Sequence, residues 1–149
     1  MSGSSILTFI QKSFRQTVET TVFNRLADKV NIVSAGQGDL TAEIKVEENH
    51  VNHFKMMHGG IVTTLADILS SAAFLTLHIK ENDVFAGPKN VSVKLDMTFL
   101  KPIPLGSVLI INCSTVNQGK TLALAQVDFK DKVTGKILAK CNHLMFVKQ

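Results

Sequence analysis

HGGIVTTLADILSSAAFLTLH, residues 58–78, decides how the chain is read. From Ile61 to His78 the spacing predicts a helix, with Ile61, Val62, Leu65, Ala66, Ile68, Leu69, Ala72, Ala73, Phe74, Leu75 and Leu77 covering most of its circumference. A helix that is apolar nearly all round must be buried nearly all round. A sheet of about five strands has to curl round it to supply the cover. The one polar stripe is Thr64, Asp67 and Ser71, at i, i+3 and i+7. The stretch is too short to span a bilayer and carries Asp67, Ser70, Ser71 and Thr76, so no stable membrane insertion is expected.

Downstream the period changes to two. Val91, Val93, Leu95, Met97 and Phe99 are expected on one strand face and Ser92, Lys94, Asp96 and Thr98 on the other, with Pro102 and Pro104 ending the strand. Strands follow over Val108–Val116, Leu122–Phe129 and Ile137–Val147. Asn117-Gln118-Gly119-Lys120 and Lys132–Gly135 form the turns between them. Upstream, Val30–Ser34 and Leu40–Val46 read as a hairpin closed by Gly36-Gln37-Gly38, and Glu47–Met57 as an irregular approach to the helix. The first twenty residues carry Ile6, Phe9, Ile10, Phe14 and Val18 at helical spacing. This segment has Lys12 and Arg15 but no acid before Glu19, a bias shared with mitochondrial presequences; an ordinary amphipathic helix is the preferred reading. The whole is an α+β pattern in one domain, 1–149, with 1–28 as N-terminal helix and approach and 29–149 as the core.

The 149 residues are 45% hydrophobic and 19% charged, enough for a real core and too apolar for disorder. Two cysteines, Cys113 and Cys141, both in strand-like segments, read as buried thiols rather than a disulfide framework. A net charge of +4 favours an anionic partner. The nucleic-acid reading is weakened, because Trp and Tyr are absent and the lysines are scattered, so a small polyanionic ligand carries equal weight. His50, His53, His78 and His143 show no ligand spacing with each other or with the cysteines, so no metal site is expected.

His58-Gly59-Gly60 opens the buried helix. The first amides of a helix lack intrahelical partners and carry partial positive charge, and glycine lets an oxygen approach them closely. That suits an oxyanion hole or an anion site; a plain loop-to-helix junction is the commoner use. Asp67, flanked by Leu65, Ala66, Ile68 and Leu69, is expected to be partly desolvated and suited to act as general base or nucleophile, or else it marks one solvated side of the helix. Asn52, six residues before His58, reads as a turn residue, and Ser92 as an exposed strand serine.

Taken in order, "NHFKMMHGGIVTTLADILSS", "VSVKLDMTFLKP" and "NQGKTLA…DKVTGKILA" resemble the hotdog-fold acyl-CoA thioesterases, in the PaaI-like thioesterase superfamily member 2 branch, over nearly the whole chain. The resemblance implies a hotdog fold, an antiparallel sheet wrapped round a central helix, and hydrolysis of medium- to long-chain acyl-CoA without a cofactor. It implies that the Gly59 amide polarises the thioester and Asn52 helps to bind and activate it. By the same resemblance His58 lies beside the reacting group, Asp67 is base or nucleophile, and Ser92 orients water. It implies coenzyme A contacts along Phe99, Leu100, Lys101, Pro102, Ile103 and Pro104, and along Asn117, Gln118, Gly119, Lys120, Thr121 and Leu122. It further implies a homodimer sharing its sites between subunits, paired into a dimer of dimers, in cytoplasm or mitochondrion. Two other readings stay open: a non-catalytic acyl-CoA-binding module, and a hotdog enoyl-CoA hydratase or dehydratase. Lys55-Met56-Met57 departs from the family, whose segment there contains glycine.

Overall fold

The computed structural model describes residues 3–79 and 90–147. Its elements are α1 (Gly3–Thr20), β1 (Asn31–Gly36), β2 (Asp39–Lys45), α2 (Gly59–Leu75), β3 (Asn90–Phe99), β4 (Val108–Gln118), β5 (Leu122–Asp131) and β6 (Ile137–Val147). Short 3₁₀ turns occupy Phe23–Ala27 and Glu48–His50. All six strands form one antiparallel sheet in the order β1-β2-β4-β5-β6-β3. The long helix packs against β2, β3, β4, β5 and β6, so the sheet does curl round it. This is the hotdog architecture, with an additional helix at the N-terminal end.

The physical driver is the one legible in residues 61–75. Leu65, Ala66, Leu69 and Ala73 are fully buried, and the inward sides of β2, β4, β5 and β6 bring Leu40, Ile44, Leu109, Ile111, Phe129 and Cys141 against that core. Truncating either Leu65 or Leu69 to Ala would cost about 2–5 kcal/mol. α1 lays Ile10, Phe14 and Val18, spaced four apart, onto the same core. Cys113 and Cys141 are free and buried, and burial pushes the Cys141 thiol up to about 11. Among the described residues no helix is long and apolar enough to cross a membrane.

Three expectations need correction. The helix starts at Gly59 and stops at Leu75; Thr76, Leu77 and His78 continue only as turns, bonding back to Ala73, Phe74 and Leu75. The first hairpin turns on Gln37 and Gly38, both at positive φ (53° and 88°), a left-handed pair suited to the twist of a two-residue hairpin loop. The third concerns β3. Its pairing with β6 skips a residue between Ser92 and Lys94. Asn90, Ser92, Leu95, Met97 and Phe99 pair with Val147, Met145, His143, Cys141 and Ala139, and so share one side of the sheet. The strict alternation is broken, and Val91 and Val93 stand 67% and 56% exposed on the edge strand. A bulge of this kind re-aims a side chain; here it turns Ser92 toward α2.

Candidate active site

The start of α2 is held open by its neighbours. His58 is the N-cap: its Nδ1 accepts from the Gly60 amide at 2.9 Å. That acceptance leaves the ring proton of the neutral imidazole on Nε2, free to donate. A side chain at Gly60 would meet the same Nδ1 at 3.1 Å, so glycine is what permits this cap. The Gly59 amide precedes the first intrahelical bonds, which run from Ile61 and Val62 to the His58 carbonyl, and it donates to no described residue. Over Gly59 lies the Phe99 ring, which a Cβ there would meet at 3.3 Å. Met57, Gly59, Val62 and the segment Phe99 to Ile103, Lys101 included, line one cavity of about 330 Å³. Pro104 lies beside it, in a bridge with Met56.

Asn52 is tied to this end by the loop it organises. Its Oδ1 accepts from the Phe54 and Met56 amides at 2.9 and 3.3 Å, and the Met57 amide reaches the Ile103 carbonyl at 2.8 Å. The turn reading of Asn52 therefore holds. Because the carbonyl side is occupied, the amide NH₂ is the side that remains to donate. Lys55 takes φ 60°, a left-handed conformation unusual for a residue with a side chain. This explains why a glycine is at home in that segment.

The second group of residues sits in the middle of α2. Asp67 is partly buried, as expected, and not freely solvated: its side chain keeps 39% exposure in the single chain. Nor does its stripe face open solvent throughout. Ser92 Oγ donates to Asp67 Oδ1 at 2.7 Å, and Ser71, itself buried, donates to Asn90 Oδ1 at 3.1 Å. Both partners come from the inward side of β3, where the bulge placed them.

His143 is the residue that sequence reasoning missed. It is fully buried on β6, with Nε2 at 3.6 Å from Asp67 Oδ1 and Nδ1 at 2.7 Å from Ser70 Oγ. Burial holds its imidazole below the ordinary value, against the pull of Asp67, so it is neutral near pH 7. Its only sequence signal was position: a histidine on the inward parity of an otherwise apolar strand, between Cys141 and Met145. Metal spacing was the wrong question to ask of it. Among the described residues no group of three or more His, Cys, Asp or Glu is placed to hold a metal.

The two groups do not meet within one chain. Gly59 and Asp67 share a helix but stand eight residues apart, about 12 Å along its axis. The two segments expected to bind coenzyme A are also separated. Phe99 pairs at one end of the sheet with Ala139, whereas Leu122 pairs with Phe146, which pairs with Val91. Val91 and Phe99 are eight residues apart on β3, so the segment at Phe99–Pro104 and the one from Asn117 through Gln118, Gly119, Lys120 and Thr121 to Leu122 lie about 25 Å apart. The Leu122 row is next to the Ser92 row, on the Asp67 side.

Residues 54–138 match the model described as thioesterase superfamily. The chain is 35% identical over 141 residues to acyl-coenzyme A thioesterase 13 of Homo sapiens, covering 92% of this chain and 96% of that one. It superposes on zebrafish thioesterase superfamily member 2 with a TM-score of 0.85 at 30% identity, covering 95% of this chain and 98% of that one. A hypothetical thioesterase of Streptococcus pneumoniae, solved with coenzyme A, superposes with a TM-score of 0.72 at 26% identity, covering 81% and 87% of the two chains.

Proposed function

The chain belongs to the thioesterase superfamily, and from that premise we propose that this thioester hydrolase cleaves fatty acyl-coenzyme A of medium to long chain to free acid and thiol. The observation that carries the mechanism is the Ser92–Asp67–His143 arrangement, a carboxylate whose Oδ1 accepts from Ser92 and is also faced by a neutral imidazole. Water approaches Asp67 beside Ser92. The carboxylate takes a proton as the water oxygen bonds to the thioester carbon. The Gly59 amide, at the positive end of α2, stabilises the charge on the carbonyl oxygen, with the Asn52 NH₂ as a second donor and His58 beside them. The C–S bond then breaks, and the proton held at Asp67 returns to the leaving thiolate. His143 closes the buried side of the carboxylate, its Nε2 3.6 Å from Asp67 Oδ1 and beyond hydrogen-bond reach. No resident cofactor has a part in these steps.

The active unit in this reading is a homodimer. A base and an oxyanion donor must both lie within a few ångströms of one carbonyl. The 12 Å between them on a single helix is too far, but the start of α2 in one chain can face the middle of α2 in a two-fold partner. Asn52, His58, Gly59 and Phe99–Pro104 then come from one subunit, with Asp67, Ser92 and the turn carrying Lys120 from the other. The 25 Å between the two coenzyme-binding segments fits the same division. So does the edge position of β3, whose exposed Val91 and Val93 give a partner strand something to cover. Two such dimers pairing would complete the tetramer.

Complementation tests both parts. Inactive Asn52→Ala and inactive Asp67→Asn protein, unfolded together and refolded, would form hybrids with one doubly damaged and one intact site. Random pairing returns about a quarter of wild-type turnover. No recovery, with hybrids confirmed by native mass spectrometry, would falsify the shared site.

A further inference from the structure

A second cavity, also about 330 Å³, opens at Asp67 and Ser92 and runs between the two helices. We propose that α1 is the second wall of the acyl pocket, and that its side chains, with those of α2 facing them, set the length of chain the enzyme accepts. The proposal rests on the hydrolase reading above and extends it to the substrate's tail.

α2 supplies one wall and a ruler. Its lining residues run from Asp67 through Ala72 to Leu75, eight residues and about 12 Å. The thioester carbon has to lie beside Asp67, so the tail runs from there toward Leu75, away from Gly59. At about 1.3 Å per carbon of an extended chain, from ordinary bond lengths, the groove takes about nine carbons. Its volume is that of a site for a small organic group.

α1 supplies the facing wall. Phe14 and Val18 give it apolar cover, while Ser13 and Thr17, one turn apart on the same helix, are small. Thr17 Oγ1 spends its proton on the Ser13 carbonyl at 3.0 Å, so the hydroxyl needs no partner from the ligand. Across the gap Ala72 is likewise small. The open volume is thus where small residues of two helices oppose each other, and a longer side chain from either helix would fill it. α1 is no part of the sheet. It packs on β1 and the adjoining 3₁₀ turn, which makes it a cover that can vary without changing the carboxylate, Ser92 or His143.

The test is a chain-length series, butyryl-, octanoyl- and dodecanoyl-coenzyme A, on wild type, Thr17→Leu and Ala72→Leu. Ala72 lies five residues past Asp67, about 7.5 Å, level with about the seventh carbon when the thioester carbon is the first. Ala72→Leu should cut kcat/KM for octanoyl by 10-fold or more and leave butyryl within twofold. Thr17→Leu, which improves helix propensity, should lower the octanoyl-to-butyryl ratio at least fivefold, with its circular dichroism and melting temperature kept. If Ala72→Leu shifts the ratio and Thr17→Leu does not, α1 is no wall of the pocket. If neither shifts it, the tail lies elsewhere; either result overturns the proposal. Failure of the hydrolase reading would look different, because wild type would then turn over none of the three.

Discussion

In the proposed reaction the two ends of the first half of α2 solve different problems with different materials. At Gly59 the chemistry is backbone: an unbonded amide, kept reachable because the residue has no side chain and aligned by the helix that follows. At Asp67 it is side chain: a carboxylate fixed by Ser92 from β3 and faced by His143 from β6. The first depends on what is missing from the sequence, the second on what three separate elements bring together. A backbone donor tolerates change around it but not on it. A side-chain network can be broken at any member.

The largest effect is expected at the carboxylate. Asp67→Asn is isosteric but cannot take a proton from water, so kcat should fall by about 10²-fold or more with KM little changed. A purified variant that turned over octanoyl-coenzyme A near the wild-type rate would remove Asp67 from the mechanism. At the other end, Gly59→Ala must push the Phe99 ring away from a Cβ at 3.3 Å. Because the amide itself survives, a smaller loss of about 10-fold in kcat is expected, on the scale of a disturbed rather than deleted oxyanion donor. Equal losses for the two variants would erase the distinction between the ends.

His143 sharpens the comparison through pH. Burial keeps it neutral, so acid must force a proton onto it. That cation beside Asp67 weakens the base, and because burial holds the group down, activity should fall only on the acid side of the ordinary histidine value of about 6.5. His143→Gln removes one titrating group, and its acid limb should be shallower. The sign for stability is the same. The unfolded chain takes up the proton first, so wild type loses stability as pH falls through that range, and the Gln variant loses less. Identical pH profiles for the two proteins would leave His143 a packing residue only.

Smaller effects belong to the periphery of each end. Lys120→Ala should raise KM for acyl-coenzyme A by about 3- to 10-fold with kcat unchanged, as expected for uniform binding of a phosphate. A short thioester lacking the nucleotide should not register the change. Lys55→Gly relieves a left-handed residue at φ 60°. Because glycine's entropy in the unfolded chain offsets part of the gain, stability should rise by only about 0.5 kcal/mol, read as a shift in melting temperature. Turnover by Lys55→Gly should match wild type, since the Asn52 loop is kept.

Much of this was written in local patterns. The apolar girth of residues 61–75 called for a wrapped helix, and the alternation in β4, β5 and β6 supplied the wrapping, because both signals depend only on burial at a fixed period. Gly59 and Asp67 were legible because each sits in a short run with unusual chemistry for its setting, whereas Asn52 read locally as a turn residue and gained a further role only from the resemblance. Ser92 was legible only through its resemblance to a family. Period two put it on the outward side of β3, and nothing in Val91-Ser92-Val93-Lys94 announces a bulge, which is decided by how β3 pairs with β6. His143 carries no metal-ligand spacing and no other local motif. Its meaning depends on a partner 76 residues away on another element, and no local period carries that.

The sequence by itself determined the layers and the residues able to do chemistry, since hydrophobic period and residue type are local properties that survive into the fold unchanged. Only the tertiary structure decided which of those residues meet. Strand pairing turned Ser92 inward, sheet order set His143 against Asp67, and the straightness of one helix held Gly59 and Asp67 about 12 Å apart. Contacts between distant segments are fixed by register and packing, which the chain settles only once its whole sheet is closed round the helix.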